Sequence, residues 1–182
     1  WGVPNVCFED MTRKCDLIIE CLPPQIVPQL AEFVIRENKE LIIISSCALL
    51  MFPDILEKHK QSTSRIIVPS GALIGLDGVN ALKEHGIKNA KIISTKPPMG
   101  FSTAPHVDKN NIDLTAIKTP TLIFSGNAFE ASHGFPANVN VAATLSLAGI
   151  GAENTQVEIW ADPETRFNSH EIVVESAFSK IT

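Results

Sequence analysis

Short β-branched runs and proline breaks alternate through the first third of the chain. Asp16–Cys21 (DLIIEC) predicts a strand that Pro23 and Pro24 end. Ile26, Leu30, Phe33 and Val34 then recur at helical spacing, which predicts a helix to about Asn38. Leu41–Ser45 (LIIIS) has no alternation and reads as a strand buried on both faces, as parallel strands between helix layers are. A short amphipathic helix over Pro53–Lys60 and a third strand over Arg65–Pro69 complete a βαβαβ rhythm. Such a rhythm predicts a parallel sheet with right-handed crossovers.

The rhythm changes after Pro69. Ser70–Gly78 (SGALIGLDG) is a glycine-punctuated loop, and a short helix follows to His85, ended by Gly86. Asn89–Lys96 (NAKIISTK) predicts a strand stopped by Pro97 and Pro98, and the polar stretch Gly100–Lys118 predicts a long excursion without a regular element. Phe135–Gly149 (FPANVNVAATLSLAG) is almost wholly apolar, which predicts a helix buried all round. Strands follow over Gln156–Ala161, with period two, and over Glu171–Glu175. After Pro69 the pattern therefore predicts an α+β layer of one sheet with helices against it.

With 182 residues, 45% hydrophobic and 19% charged, the chain has core material for one large domain or two small ones. A net charge of −5 argues against nucleic acid or an anionic membrane surface as partner. The longest apolar runs, Leu41–Ser45 with Ala48–Phe52, are too short and interrupted to span a bilayer, and the opening residues carry no signal-peptide pattern. Cys7, Cys15, Cys21 and Cys47 form no C-x-x-C pair. Their spacing favours buried free thiols in a reducing cytoplasm over a disulfide framework, and no metal site is expected.

The polar start of the apolar helix is the first candidate for chemistry. Asn138 suits an N-cap, whereas Asn140 falls two residues further in, where its amide and the free helix N–H groups can face a ligand. The second candidate is His170, which follows the turn Pro163–Ser169 and immediately precedes a strand. His59, His85, His106 and His133 lie in polar or loop surroundings and are expected to be solvated.

These pieces stand in a telling order: Ser46-Cys47-Ala48-Leu49, the PSGALIGLD loop of Pro69–Asp77, Thr95-Lys96-Pro97-Pro98, FPANVNVAAT, Ala161-Asp162-Pro163 and Asn168-Ser169-His170. Over nearly the whole chain the sequence resembles the NAD(P)-dependent L-aspartate dehydrogenase family. The fold class implied is α/β, with a partial Rossmann-type parallel sheet over residues 1–69 and an α+β catalytic and substrate domain over 70–182. The reaction implied is oxidation of L-aspartate to iminoaspartate, which hydrolyses to oxaloacetate and ammonia or feeds NAD biosynthesis, with reductive amination as the reverse. The resemblance makes His170 the catalytic acid/base, a role that suits a group titrating near neutrality. It gives Ala72 and Asn140 to the cofactor, NAD or NADP, since a small residue in a strand-end turn lets a dinucleotide approach and an amide answers the nicotinamide carboxamide. Asn168 and Lys96 are candidates for the substrate, Lys96 because aspartate brings two carboxylates. A cytoplasmic homodimer is expected with the family.

The family's first strand and Gly-x-Gly-x-x-Gly turn do not occur, and the spacing of Gly71, Gly75 and Gly78 does not replace them. The chain is therefore expected to be a fragment, cut short at its end as well. The residue that reads the ribose 2′ position belongs to the first half of such a domain, so NAD and NADP both stay open. Two other readings remain. One is a dehydrogenase of the same architecture for another amino or hydroxy acid. The other is a non-catalytic nucleotide-binding or interaction protein, against which the joint presence of Asn140 and His170 argues.

Overall fold

The computed structural model describes Gly2 and Pro4–Thr182 and divides after Pro69 into two compact units. The first contains α1 (Phe8–Lys14), β1 (Leu17–Glu20), α2 (Val27–Arg36), β2 (Glu40–Ile43), α3 (Cys47–Met51), α4 (Asp54–His59) and β3 (Arg65–Ile67). Its strands form a parallel sheet in the order β1-β2-β3, with Ile18 opposite Leu41 and Leu41 opposite Ile66. Proline sets where α2 begins, because Pro28 stands in its first turn, where the missing N–H costs nothing. The buried face of α2 is Val27, Leu30, Ala31 and Val34. Ile26 is instead an exposed residue ahead of the helix, and Phe33 lies half-buried under the Arg36 guanidinium, 4.7 Å from its ring centre.

The sheet of this unit alternates, contrary to the expectation of strands buried on both faces. Ile18, Leu41 and Ile43 are buried, while Ile19 is 63% exposed and Ile44 43%. At the carboxyl ends of the strands, the buried Glu20 carboxylate accepts the backbone N–H of Leu22 and, at 3.0 Å, that of Ser45. A buried carboxylate needs such donors. The cysteine expectation is also corrected: none of the four is in a disulfide, yet Cys7, Cys15 and Cys21 are exposed and only Cys47 is buried. Burial pushes the Cys47 thiol up to about 12, so it stays protonated and unreactive near neutrality.

The second unit contains α5 (Leu76–Glu84), β4 (Ile87–Lys96), α6 (Pro105–Lys109), β5 (Thr121–Asn127), α7 (Ala128–Gly134), α8 (Asn140–Ala148), β6 (Thr155–Ala161), β7 (Ser169–Ser176) and β8 (Lys180–Ile181). Its mixed sheet runs β5-β6-β4-β7-β8, with β4 parallel to β6 and the other pairs antiparallel. Helices α5, α7 and α8 pack on one face. That face supplies Ala90, Ile92, Val157, Ile159 and Val174, all buried. The opposite face keeps Leu122 42% exposed and Ile93, Trp160 and Val173 half-buried, and there Lys91 pairs with Glu158 at 2.7 Å.

Two stretches differ from the sequence reading. Residues 100–118 are not devoid of structure, because a 3-10 turn at Pro98–Phe101 and α6 bury Phe101, Ala104, Val107 and Leu114. Single apolar residues, three of them at spacings of three (Phe101, Ala104 and Val107), are enough with Leu114 to anchor this segment. Next comes a strand-helix pair, β5 and α7, joined by a capping box in which the Asn127 side chain accepts from Glu130 N and Glu130 accepts from Asn127 N. His106 is not solvated as expected: it stacks on Phe135 at 5.1 Å and meets Phe124 edge-on at 5.3 Å. His59 is half-buried as well, with Nδ1 3.0 Å from Ser64 Oγ.

Candidate active site

Strand β4 carries the site because of where it stops. Pro97 and Pro98 cannot continue a ladder, so Lys96 closes the strand and its carbonyl takes the N–H of Asp162 at 2.9 Å. Alternation then puts Ala90, Ile92, Ser94 and Lys96 on the helix-covered face. The apolar face thus turns polar over its last two inward positions.

Strand β7 delivers His170 to the same place. In the antiparallel ladder Ser94 and His170 stand directly opposite, and Ser94 Oγ lies 2.9 Å from His170 Nδ1. Ser94 is 4% exposed and the imidazole is half-buried. Burial holds the His170 pKa below the ordinary histidine value, and the positive charge of Lys96 adds to that. Burial also lowers the pKa of Lys96, whose Nζ donates to Asn138 Oδ1 at 2.9 Å and stands 6.0 Å from the Phe101 ring centre. Both effects favour the neutral form of the imidazole, and among the described residues the neighbouring Lys96 ammonium has Asn138 as its side-chain hydrogen-bond partner.

Asn138 does not cap the helix. Its backbone N–H closes a turn onto the Phe135 carbonyl, Val139 takes the N-cap position, and the Asn138 side chain is turned to Lys96. Asn140 is therefore the first residue of α8 rather than one two positions inside it, and it is half-buried. No residue from Asn138 to Ile150 is exposed, as expected for a helix buried all round.

Ala72 reaches the site from the loop ahead of α5. Leu73 N–H bonds the Ser70 carbonyl at 3.0 Å across Gly71 and Ala72, and Gly71 has φ 58°. A positive φ at the first central position of such a turn calls for glycine. The turn leaves Ala72 exposed on the rim of a groove of about 340 Å³, shared with Leu73, Ile74, His170, Ile172 and Ile181.

Among the candidates, His170 lines one groove with Ala72 and feels the charge of Lys96, which does not line that groove; Asn140 follows two residues after the Lys96 partner Asn138. Asn168 is exposed, and its side chain bonds to no described residue. The group that holds the imidazole is Ser94, which the motif reading missed. Its signal, a serine on the apolar face of a strand two positions before Lys96, acquires meaning only through the β4–β7 register.

Comparisons with known proteins identify the family. Residues 77–182 match the family model "Aspartate dehydrogenase, C-terminal". The chain is 44% identical to L-aspartate dehydrogenase 3 of Bordetella bronchiseptica over 182 residues, covering 99% of this chain and 67% of that protein. It is 40% identical to L-aspartate dehydrogenase of Bradyrhizobium diazoefficiens, covering 93% of this chain and 60% of the relative. Among solved structures, aspartate dehydrogenase from Thermotoga maritima superposes with a TM-score of 0.75 at 30% identity, covering 100% of this chain and 70% of that one. The chain thus spans 60–67% of the length of these two curated relatives. Sequence, fold and family model converge: the chain belongs to the aspartate dehydrogenase family of oxidoreductases.

Proposed function

We propose that the protein oxidises L-aspartate with NAD or NADP to iminoaspartate, which water converts to oxaloacetate and ammonia, reversibly. The observation that carries this reading is the placement of His170, whose Nδ1 lies 2.9 Å from Ser94 Oγ, whose ring feels the charge of Lys96, and which lines one groove with Ala72. When bound, the nicotinamide cofactor accepts the hydride from the substrate Cα.

The residues divide the remaining work. Lys96 takes a substrate carboxylate, a charge-assisted contact that its position next to a polar amide partner favours. His170 Nε2 accepts a proton from the water that adds to the imine carbon. It returns a proton to the nitrogen as the C–N bond breaks and ammonia leaves. A base whose pKa lies below the ordinary histidine value is unprotonated at neutral pH and ready for the first of these steps. Asn168, exposed just ahead of β7, is the further candidate for the substrate. For the cofactor, the small exposed Ala72 allows close approach, and the Asn140 amide offers the donor and acceptor that a carboxamide needs. The homodimer reading draws support from the uncovered sheet face of Leu122, Ile93, Trp160 and Val173.

The test is a panel of dicarboxylic and neutral amino acids and hydroxy acids, each offered with NAD and with NADP, while formation of reduced nicotinamide is followed. L-Aspartate is expected to give the highest kcat/KM. A higher value for another substrate would move the protein to a sister activity, and absence of turnover with every substrate would leave a nucleotide-binding or interaction role.

A further inference from the structure

Ser94 and His170 are 76 residues apart in sequence and are each other's only side-chain hydrogen-bond partner among the described residues. Both sit within strands at directly opposed positions of an antiparallel ladder, so neither side chain depends on a loop for its placement. Ser94 is 4% exposed, which denies its hydroxyl the alternative of bulk water.

We propose that Ser94 is a positioning residue for His170: its hydroxyl holds Nδ1 so that Nε2 is the nitrogen that exchanges protons at the groove. The proposal rests on the reading of His170 as the acid/base of the reaction. A hydroxyl both donates and accepts. It donates to a bare Nδ1 when the ring proton sits on Nε2. It accepts from Nδ1–H when Nε2 is the bare base, and again when both nitrogens are protonated. The ring can therefore pass through its whole proton cycle at Nε2 without losing its anchor. A carboxylate in the same place would only accept, and its charge would favour the imidazolium. Serine supplies the orientation without the charge. The neutral imidazole that burial and Lys96 impose is thereby preserved. The charged neighbours are Lys96 on β4, which bears on the ring, and Glu171, the next residue along β7.

The experiment uses the full chain with ¹⁵N-labelled histidine, the His170 ring resonances being assigned by their loss in His170→Gln. In the wild type Nδ1 should carry the ¹⁵N shift of a hydrogen-bonded ring nitrogen on both sides of the His170 titration. In Ser94→Ala that hydrogen-bonded Nδ1 shift should be lost. With L-aspartate, kcat should fall about tenfold, the worth of one hydrogen bond, while KM changes less than about threefold. Ser94→Thr, which keeps the hydroxyl, should restore both. Ring shifts and a His170 titration in Ser94→Ala identical to the wild type would overturn the proposal. If the alanine variant does not fold, Ser94→Cys, close in size with a weak donor, takes its place, and unchanged ring shifts there overturn the proposal equally. The ring shifts need no substrate. A Ser94-dependent Nδ1 shift in a protein inactive on aspartate would thus retain the positioning role while refuting the proposed reaction.

Discussion

Replacing Lys96 by methionine removes one charge at nearly constant volume, and in the proposed mechanism that charge has two separable effects. Nζ makes a single 2.9 Å bond to Asn138, so its other donors are available to a substrate carboxylate. A hydrogen bond to a charged group contributes about 1.5–3 kcal/mol, which corresponds to a rise of roughly ten- to a hundredfold in KM for L-aspartate. The second effect is on pH. Lys96 disfavours a proton on His170, so its removal must raise the His170 pKa. In the proposed mechanism the base form is the active one, and the acidic limb of the kcat/KM profile should therefore move to higher pH. Initial rates at varied aspartate and pH, with saturating cofactor, measure both. A Lys96→Met enzyme with KM within about threefold of wild type and an unmoved acidic limb would show that the lysine neither meets substrate nor acts on the imidazole. The loss of the Asn138 contact alone would appear as lowered stability, without either kinetic change.

Two other outcomes follow. Asn140→Ala should weaken NAD(P) binding by about 1–3 kcal/mol, as for a lost buried hydrogen-bond partner, with the fold intact by circular dichroism; normal cofactor affinity in a destabilised variant would make Asn140 structural. His170 should also leave a mark on stability: its folded pKa lies below its ordinary value of 6.5, so below that pH the unfolded chain binds a proton that the folded one resists. Stability must then fall as pH drops from about 6.5 toward the folded pKa, and urea melts of His170→Gln should lack that component; parallel pH dependences of the two proteins would contradict it.

The elements legible in the sequence were those whose signal is local. Prolines at 23, 24, 97 and 98 end strands wherever they occur, and the β-branched runs before them read directly as β1 and β4. Phe135–Gly149 announced a buried helix because it has no polar face. The capping box of Asn127 and Glu130 is a local signal too, yet the sequence expectations pass over it and with it β5 and α7. What the sequence could not display depends on which strands meet. Ser94 is one polar residue in a strand until β7 is laid antiparallel beside it, and Asn138 reads as a cap until Lys96 arrives at 2.9 Å. Leu41–Ser45 reads as doubly covered because its run is unbroken, although Ile44 is 43% exposed. Resemblance to a family pointed to His170, and the strand end before two prolines pointed to Lys96. The register of the sheet brings both strands to one end.

The central claim is that His170 carries the proton transfers of aspartate oxidation. Its most direct test compares wild type and His170→Ala for aspartate-dependent reduction of NAD(P), alongside calorimetric titration of the cofactor. The expected result is a kcat lower by about a hundredfold or more, the scale of general acid/base catalysis, with cofactor affinity unchanged. Wild-type turnover by His170→Ala across about pH 6 to 9, a range spanning the histidine titration, would contradict the account.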